Sequence, residues 1–101
     1  MAESLKIAAP NGVDCFFDNV GGADSTTVMM HMNHGGRVSV CGSISTYNDT
    51  NPTLVPPVQG TMIHKELKME GFMVYRWINR WNEGILQMAE WIIDGKIITS
   101  K

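Results

Sequence analysis

Residues 13–42, VDCFFDNVGGADSTTVMMHMNHGGRVSVCG, decide the fold. VDCFFDNV (13–20) is short, rich in Val and Phe, and apolar on both faces, the pattern of a buried parallel strand. Gly21 and Gly22 end it. Asp24 or Ser25 then caps a helix by accepting an orphan amide hydrogen. Val28, Met29 and Met32 follow at helical spacing, and His34, Gly35 and Gly36 read as the stop. RVSVCG (37–42) is a strand by its β-branched content and closing glycine. Strand, helix and strand within about 30 residues make a βαβ unit, whose two strands lie parallel in one sheet.

Working outward, Pro10, Asn11 and Gly12 punctuate a turn. Residues 43–60, SISTYNDTNPTLVPPVQG, are polar and then proline-rich, with Pro52, Pro56 and Pro57. They form a long loop past the carboxyl end of a strand, a place where function concentrates. A short helix is expected around Gly60 to Glu66. KMEGFMVYRW (68–77) reads as a strand, with Phe72 and Val74 opposite Met73 and Tyr75. Trp81, Ile85, Met88, Ala89 and Ile92 then make one apolar helical stripe, capped by Asn79 or Asn82, with Gly95 just past its end. KIIT (96–99) closes the chain as a strand. The order β α β loop α β α β is that of an α/β sheet with helices on its faces.

The 101 residues hold one small domain. Eight basic against ten acidic side chains give a net charge of −2, without the basic excess of a phosphate-driven nucleic-acid binder. Apolar content of 44% argues against disorder, and no apolar run is long enough to span a bilayer. MAESLKIAAPNG lacks the apolar stretch of a secretory signal. Cys15 and Cys41 sit inside apolar runs and read as small buried hydrophobes; reduced thiols fit a cytoplasmic address. The sheet's last strand would stop at Lys101 with no helix to cover it, so the chain reads as part of a larger domain.

DNVGG (18–22), CGSISTYN (41–48) and EGFMVYRW (70–77), with the closing EWIIDGKI (90–97), together resemble the prostaglandin reductase family, also called leukotriene B4 12-hydroxydehydrogenase. These are zinc-independent medium-chain dehydrogenase/reductases. The resemblance runs from about Asn11 to Lys101 and is closer to the alkenal/15-oxoprostaglandin type. It implies the second half of a Rossmann-type parallel sheet with flanking helices, a partial NADP-binding domain over residues 1–101. The glycine-rich loop and the catalytic domain of the family are absent from this sequence.

The resemblance also implies an NADP-dependent oxidoreductase activity: reduction of the carbon–carbon double bond of an α,β-unsaturated ketone or aldehyde, a lipid enone or enal. The chain would be an inactive piece of such an enzyme. No metal is implied, and no nucleic acid or membrane partner is expected. The family's enzymes dimerise through Rossmann-domain edges. By resemblance, Asn19 contacts the cofactor, the segment Cys41, Gly42, Ser43, Ile44, Ser45, Thr46 and Tyr47 wraps it, and Phe72, Met73 and Val74 line its nicotinamide end. Of the strand ends in this reading, Asn19, Gly42 to Tyr47, and Val74 to Trp77 occupy the carboxyl ones, where open α/β sheets bind ligands. Gly21, Gly22 and Gly42 let backbone approach closely. Tyr47 is singled out as catalytic, since its phenol can donate a hydrogen bond to a ribose or to a developing enolate. The rival expectation is a truncated product that acts only through sheet-edge or subunit pairing.

Other features have plainer readings. MMHMNH (29–34) could offer thioethers and imidazoles to a soft metal, but fits an amphipathic helix with methionine fillers. YRWINRW (75–81) pairs arginines with aromatics; it reads as a strand end and a helix start with Trp81 in the core, leaving Arg76 as an option for a lipid carboxylate. Asp14 and Asp18 lie about 13 Å apart along a strand, too far to share a proton, and read as strand-end and turn residues.

Overall fold

A computed structural model describes residues 1–51 and 54–100. Pro52 of the proline-rich loop and the terminal Lys101 lie outside the described residues. The sheet has three parallel strands in the order β1 (Val13–Asp18), β2 (Met32–Val40) and β3 (Lys68–Gly71). Helix α2 (Gly22–Met30) crosses between β1 and β2, and α3 (Gln59–Lys65) leads into β3. Helix α1 (Ala2–Ala8) precedes the sheet, and α4 (Trp81–Ile93) follows it. The βαβ unit expected over 13–42 is therefore present, as is the short helix before β3. The sequence reading assigned no element to α1, although its i,i+3 Glu3–Lys6 pair and alanines suit a helix.

One face of the sheet is packed. Met29, Met32, Val38 and Leu67 form the buried core, with Phe16, Val40, Met62 and Met69 packed against it. The other face, carrying Cys15, Phe17, Arg37 and Ser39, is largely open, and Phe17 is 63% exposed. The expectation of a strand buried on both faces is corrected here: α2 and α3 cover one side only. Cys15 is likewise exposed and Cys41 only half-buried, and both are free thiols.

Several boundaries move, each for a local reason. β1 stops at Asp18, not Val20, because the Asp18 carboxylate takes the Val20 and Gly21 amide hydrogens and turns the chain. The N-cap of α2 is Gly21, with no side-chain cap; Ser25 points inward to Asp18 instead, and Asp24 sits in the first turn. Helix α2 ends at Met30, so His34, Gly35 and Gly36 lie inside β2 and are not its stop. The register jumps between Val13–Met32 and Cys15–Arg37, and Gly35, at φ +76°, permits that bulge. Of the methionines of MMHMNH, Met29 in α2 and Met32 at the start of β2 serve the core, whereas Met30 is exposed.

β3 ends at Gly71, short of the strand expected to Trp77. Its last ladder partner is Val40, the end of β2, and only the Phe72 amide still donates to the Val40 carbonyl, at 3.1 Å. Residues Val74–Arg80 then wind into 3-10 turns. Phe72 packs between Phe17 (ring centroids 6.0 Å) and Trp77 (5.3 Å, edge-on). The N-cap of α4 is Arg80, neither Asn79 nor Asn82. Arg80 is hydrogen-bonded to Glu83 at 2.8 Å, which holds that carboxyl below its ordinary value. The apolar stripe of α4 is present but unburied, and Trp81, expected in the core, is 39% exposed. Gly95 (φ +74°) ends α4 as expected, and the Lys96 and Ile97 amides fold back onto the Trp91 carbonyl. Among the described residues KIIT pairs with no strand, so the expected fourth strand does not form. Among the described residues no helix is long and apolar enough to cross a membrane.

Met29 is 2% exposed at the centre of the core, whereas Ile85 on α4 is 56% exposed. Met29→Ala should lower unfolding free energy by about 3 kcal/mol in a urea titration. Ile85→Ser should change it by less than about 0.5 kcal/mol. Equal losses would place the core elsewhere.

Candidate functional site

The carboxyl ends of the three strands meet in one rim, and β1 and β2 are laced together there. The Asp18 carbonyl accepts the Cys41 amide at 2.8 Å and the Gly42 amide at 3.2 Å. One residue on, the Asn19 carbonyl accepts the Ile44 amide at 3.1 Å, and the Val20 carbonyl accepts the Ser45 amide at 3.0 Å. Ser45 Oγ donates to the same Val20 carbonyl at 2.6 Å. The loop after β2 is thus held residue by residue against the turn after β1. A 3-10 turn, Ile44–Thr46, closes it and brings Tyr47 back over its start.

Glycine is required where these two segments touch. A Cβ on Gly42 would lie 2.5 Å from Asn19 Oδ1 and 2.6 Å from Tyr47 Oη. Asn19 and Tyr47 therefore bracket one point above the Gly42 backbone. Gly21, at φ +72°, meets Ser43 in the same way: its Cβ would come within 2.1 Å of Ser43 Oγ. The Ser43 amide donates to Tyr47 Oη at 2.9 Å. With its oxygen already accepting, the phenol keeps its own hydrogen free to donate.

A groove of about 540 Å³ opens beside this point, between the ends of β2 and β3. Cys41, Gly42, Ser43, Tyr47, Phe72 and Met73 line it, together with Val40, Gly71 and Arg76. Six residues singled out in the sequence are thus brought together, and Asn19 adjoins them through Gly42. The others lie apart from the groove. Ser45 and Thr46 face Gly21, Gly22 and Asp24 in a smaller hollow of about 230 Å³. Ile44 is exposed, and Val74 starts the 3-10 turns beyond the groove's lining. Among the described residues Arg76 is the groove's one charged lining residue; its guanidinium lies 5.0 Å above the Trp77 ring and 3.7 Å from Glu70.

Sequence reasoning missed Asp18, which is 4% exposed and is the best-bonded side chain at the rim. The signal was available: an Asp two residues before Val20 and three before a glycine is the spacing of a side chain that folds its own turn. Among the described residues, no three His, Cys, Asp or Glu side chains converge as a metal would require.

A groove floored by glycine backbone at the carboxyl ends of parallel strands, with helices on the sheet, defines a class of fold: part of a Rossmann-type sheet. The chain belongs to the zinc-binding dehydrogenase family, whose sequence profile matches residues 1–91. It is 43% identical over 98 residues to prostaglandin reductase 1 of Rattus norvegicus, and 44% identical to that of Bos taurus. The likeness to prostaglandin reductases read from the three motifs is thereby shown. Each match takes in 96% of this chain, and the chain spans about 30% of the length of these curated relatives. Among solved structures, CurA of Vibrio vulnificus in complex with NADPH superposes with a TM-score of 0.79 at 35% identity. That match covers 98% of this chain and 31% of CurA.

Gly42→Ala should displace Tyr47 while leaving the sheet intact. The Ser43 amide, bonded to Tyr47 Oη, should lose hydrogen-exchange protection, and the Val38 amide should keep its own. An unchanged Ser43 amide would show that no contact crosses Gly42.

Proposed function

We propose that this chain forms the nicotinamide-side wall of an NADPH site, in a longer enzyme that reduces carbon–carbon double bonds conjugated to a carbonyl. The observation that carries this reading is the point above Gly42, where backbone without a side chain lies between Asn19 and Tyr47 at the carboxyl end of the sheet. The residues present fit one end of a dinucleotide. Phe72 and Met73 offer an apolar wall, the 41–43 backbone permits close approach, and Arg76 supplies one positive charge. Asn19, Cys41, Gly42, Ser43, Tyr47, Phe72 and Met73 would hold the cofactor, with Ser45, Thr46, Ile44 and Val74 supporting the same loops. The chain's likeness to an NADPH-bound enzyme and to prostaglandin reductases supports this choice of cofactor and of reaction.

When bound, NADPH supplies hydride to the substrate's β-carbon. Negative charge then gathers on the substrate's carbonyl oxygen, which needs a preorganised donor. Tyr47 is the donor we assign. The Ser43 amide fixes its oxygen and polarises its O–H bond, so its proton is presented and not spent internally. We place the whole enzyme in the cytoplasm as a homodimer acting on a lipid enone or enal, such as a 15-oxo-prostaglandin or an alkenal; the likeness to prostaglandin reductase 1 supports the lipid class.

The 101-residue chain should quench or shift NADPH fluorescence on binding, yet should not consume NADPH when an enone is added. Placed in rat prostaglandin reductase 1 in exchange for the matching segment, it should sustain enone reduction. In that chimera Tyr47→Phe should lower kcat about 100-fold, with cofactor affinity changed far less. Wild-type turnover by the Phe variant would remove Tyr47 from the chemistry. Absence of NADPH binding by the chain would favour the rival, an inactive truncated product acting through sheet-edge or subunit pairing; among the described residues β1 pairs with β2 alone.

A further inference from the structure

We infer that Asp18, a buried carboxylate with no part in the chemistry above, is the positioning residue of the cofactor wall; this rests on the NADPH reading. Asp18 ends β1 on the packed face of the sheet and is 4% exposed. A buried carboxylate is costly unless hydrogen bonds satisfy it. Here three donors do so. Oδ1 takes the Val20 and Gly21 amides, each at 3.0 Å, and Oδ2 takes the Ser25 hydroxyl at 2.5 Å.

The two oxygens have separate tasks. Oδ1 folds residues 18–21 into a turn, and Asn19 sits inside that turn. Its carboxamide is thereby aimed at Gly42, and the Asn19 and Val20 carbonyls at the Ile44 and Ser45 amides. Oδ2 ties the turn to the first turn of α2 through Ser25, which is itself buried. The Asp18 main-chain carbonyl meanwhile takes the Cys41 and Gly42 amides. One residue therefore sets the spacing between the Asn19 side and the Tyr47 side of the groove. The Asp18 carboxylate is not part of the groove lining; it acts on that lining through the turn that carries Asn19, while the main-chain carbonyl holds Cys41 and Gly42.

The roles make different demands on the side chain. Positioning needs an acceptor at Oδ1 and the length of an Asp. It does not need charge. Asn meets both requirements, because its carbonyl oxygen can accept the two amides while its amino group donates to Ser25 Oγ. Glu keeps the charge but moves its oxygens by one methylene.

The test measures NADPH affinity by fluorescence and thermal midpoint by circular dichroism, on the 101-residue chain and four variants. Asp18→Asn should bind NADPH within about threefold of the unsubstituted chain, whereas Asp18→Ala and Asp18→Glu should each lose about tenfold or more, the worth of about one hydrogen bond in the Oδ1 turn. Ser25→Ala should lower the midpoint yet leave affinity within about threefold, since the Oδ1 turn persists. Without NADPH, hydrogen exchange at Ile44 and Ser45 should quicken in Asp18→Glu and not in Asp18→Asn. If Asp18→Ala fails to fold, the order of Asn against Glu decides. Glu binding better than Asn would show that charge, not turn geometry, matters, and would overturn the inference. So would an Asp18→Ala protein that melts earlier but binds NADPH normally, or a Ser25→Ala protein as weakened as Asp18→Ala. If the unsubstituted chain binds no NADPH, the cofactor reading fails and takes this inference with it; if it binds and the variants bind equally, only the inference fails.

Discussion

The Asp18 carbonyl receives two amide hydrogens, from Cys41 and Gly42, as β2 passes the end of β1. The remaining rim geometry descends from that junction. Because β1 and β2 are parallel, both chains leave the sheet at the same end and need separate turns within a few ångströms of each other. Side chains cannot fill that space. Gly21 and Gly42 stand where the turns touch Ser43, Asn19 and Tyr47. The same crowding creates the site, since a ligand approaching the strand ends meets backbone flanked by one carboxamide and one phenol.

Packing on the core side and openness on the other follow from the short length of the elements. Helices α2 and α3 cover the face bearing Phe16, Val38, Val40 and Met69. No α-helix among the described residues covers Cys15 and Phe17, which meet the Arg37 and Phe72 side chains in part, and α4 buries none of its side chains. Relatives about three times as long share this segment at over 40% identity, so the exposed surfaces lie on a segment those proteins carry within a larger chain. The core of four buried apolar residues is small for a chain of this size, where burial is the main term opposing chain entropy.

Much of this was legible in the sequence. The βαβ unit over 13–42, the helix before β3, the helix from Trp81 and its Gly95 stop all carry local signals: β-branched runs, helical spacing and glycines. The rim residues Gly42, Ser43 and Tyr47 were legible through their places at a strand end, and Cys41, Phe72 and Met73 only through family resemblance, since Phe72 and Met73 fall inside the strand expected over 68–77. Illegible features were tertiary ones. KMEGFMVYRW has strand propensity throughout, but β2 offers no partner after Val40, so the ladder ends at Gly71. The His34–Gly36 segment looks like a helix stop, but β2 absorbs it as a bulge facing Asp14, where Asn33 donates at 2.9 Å. KIIT has β-branched content and no strand beside it. Asp18 was read as a turn residue, correctly in kind, while its burial and its hold on Ser25 depend on where α2 packs.

The central claim is that the parallel strand ends of this chain carry one end of an NADPH site. An amide nitrogen–proton NMR spectrum of the 101 residues, recorded with and without NADPH, tests it most directly. The expected result is a dispersed spectrum in which shifts concentrate at Asn19, at Cys41 to Tyr47 and at Phe72 and Met73, leaving α1 and the amino ends of the strands unmoved. Shifts centred instead on the open sheet face around Cys15 and Arg37, or a dispersed spectrum blind to NADPH, would contradict it.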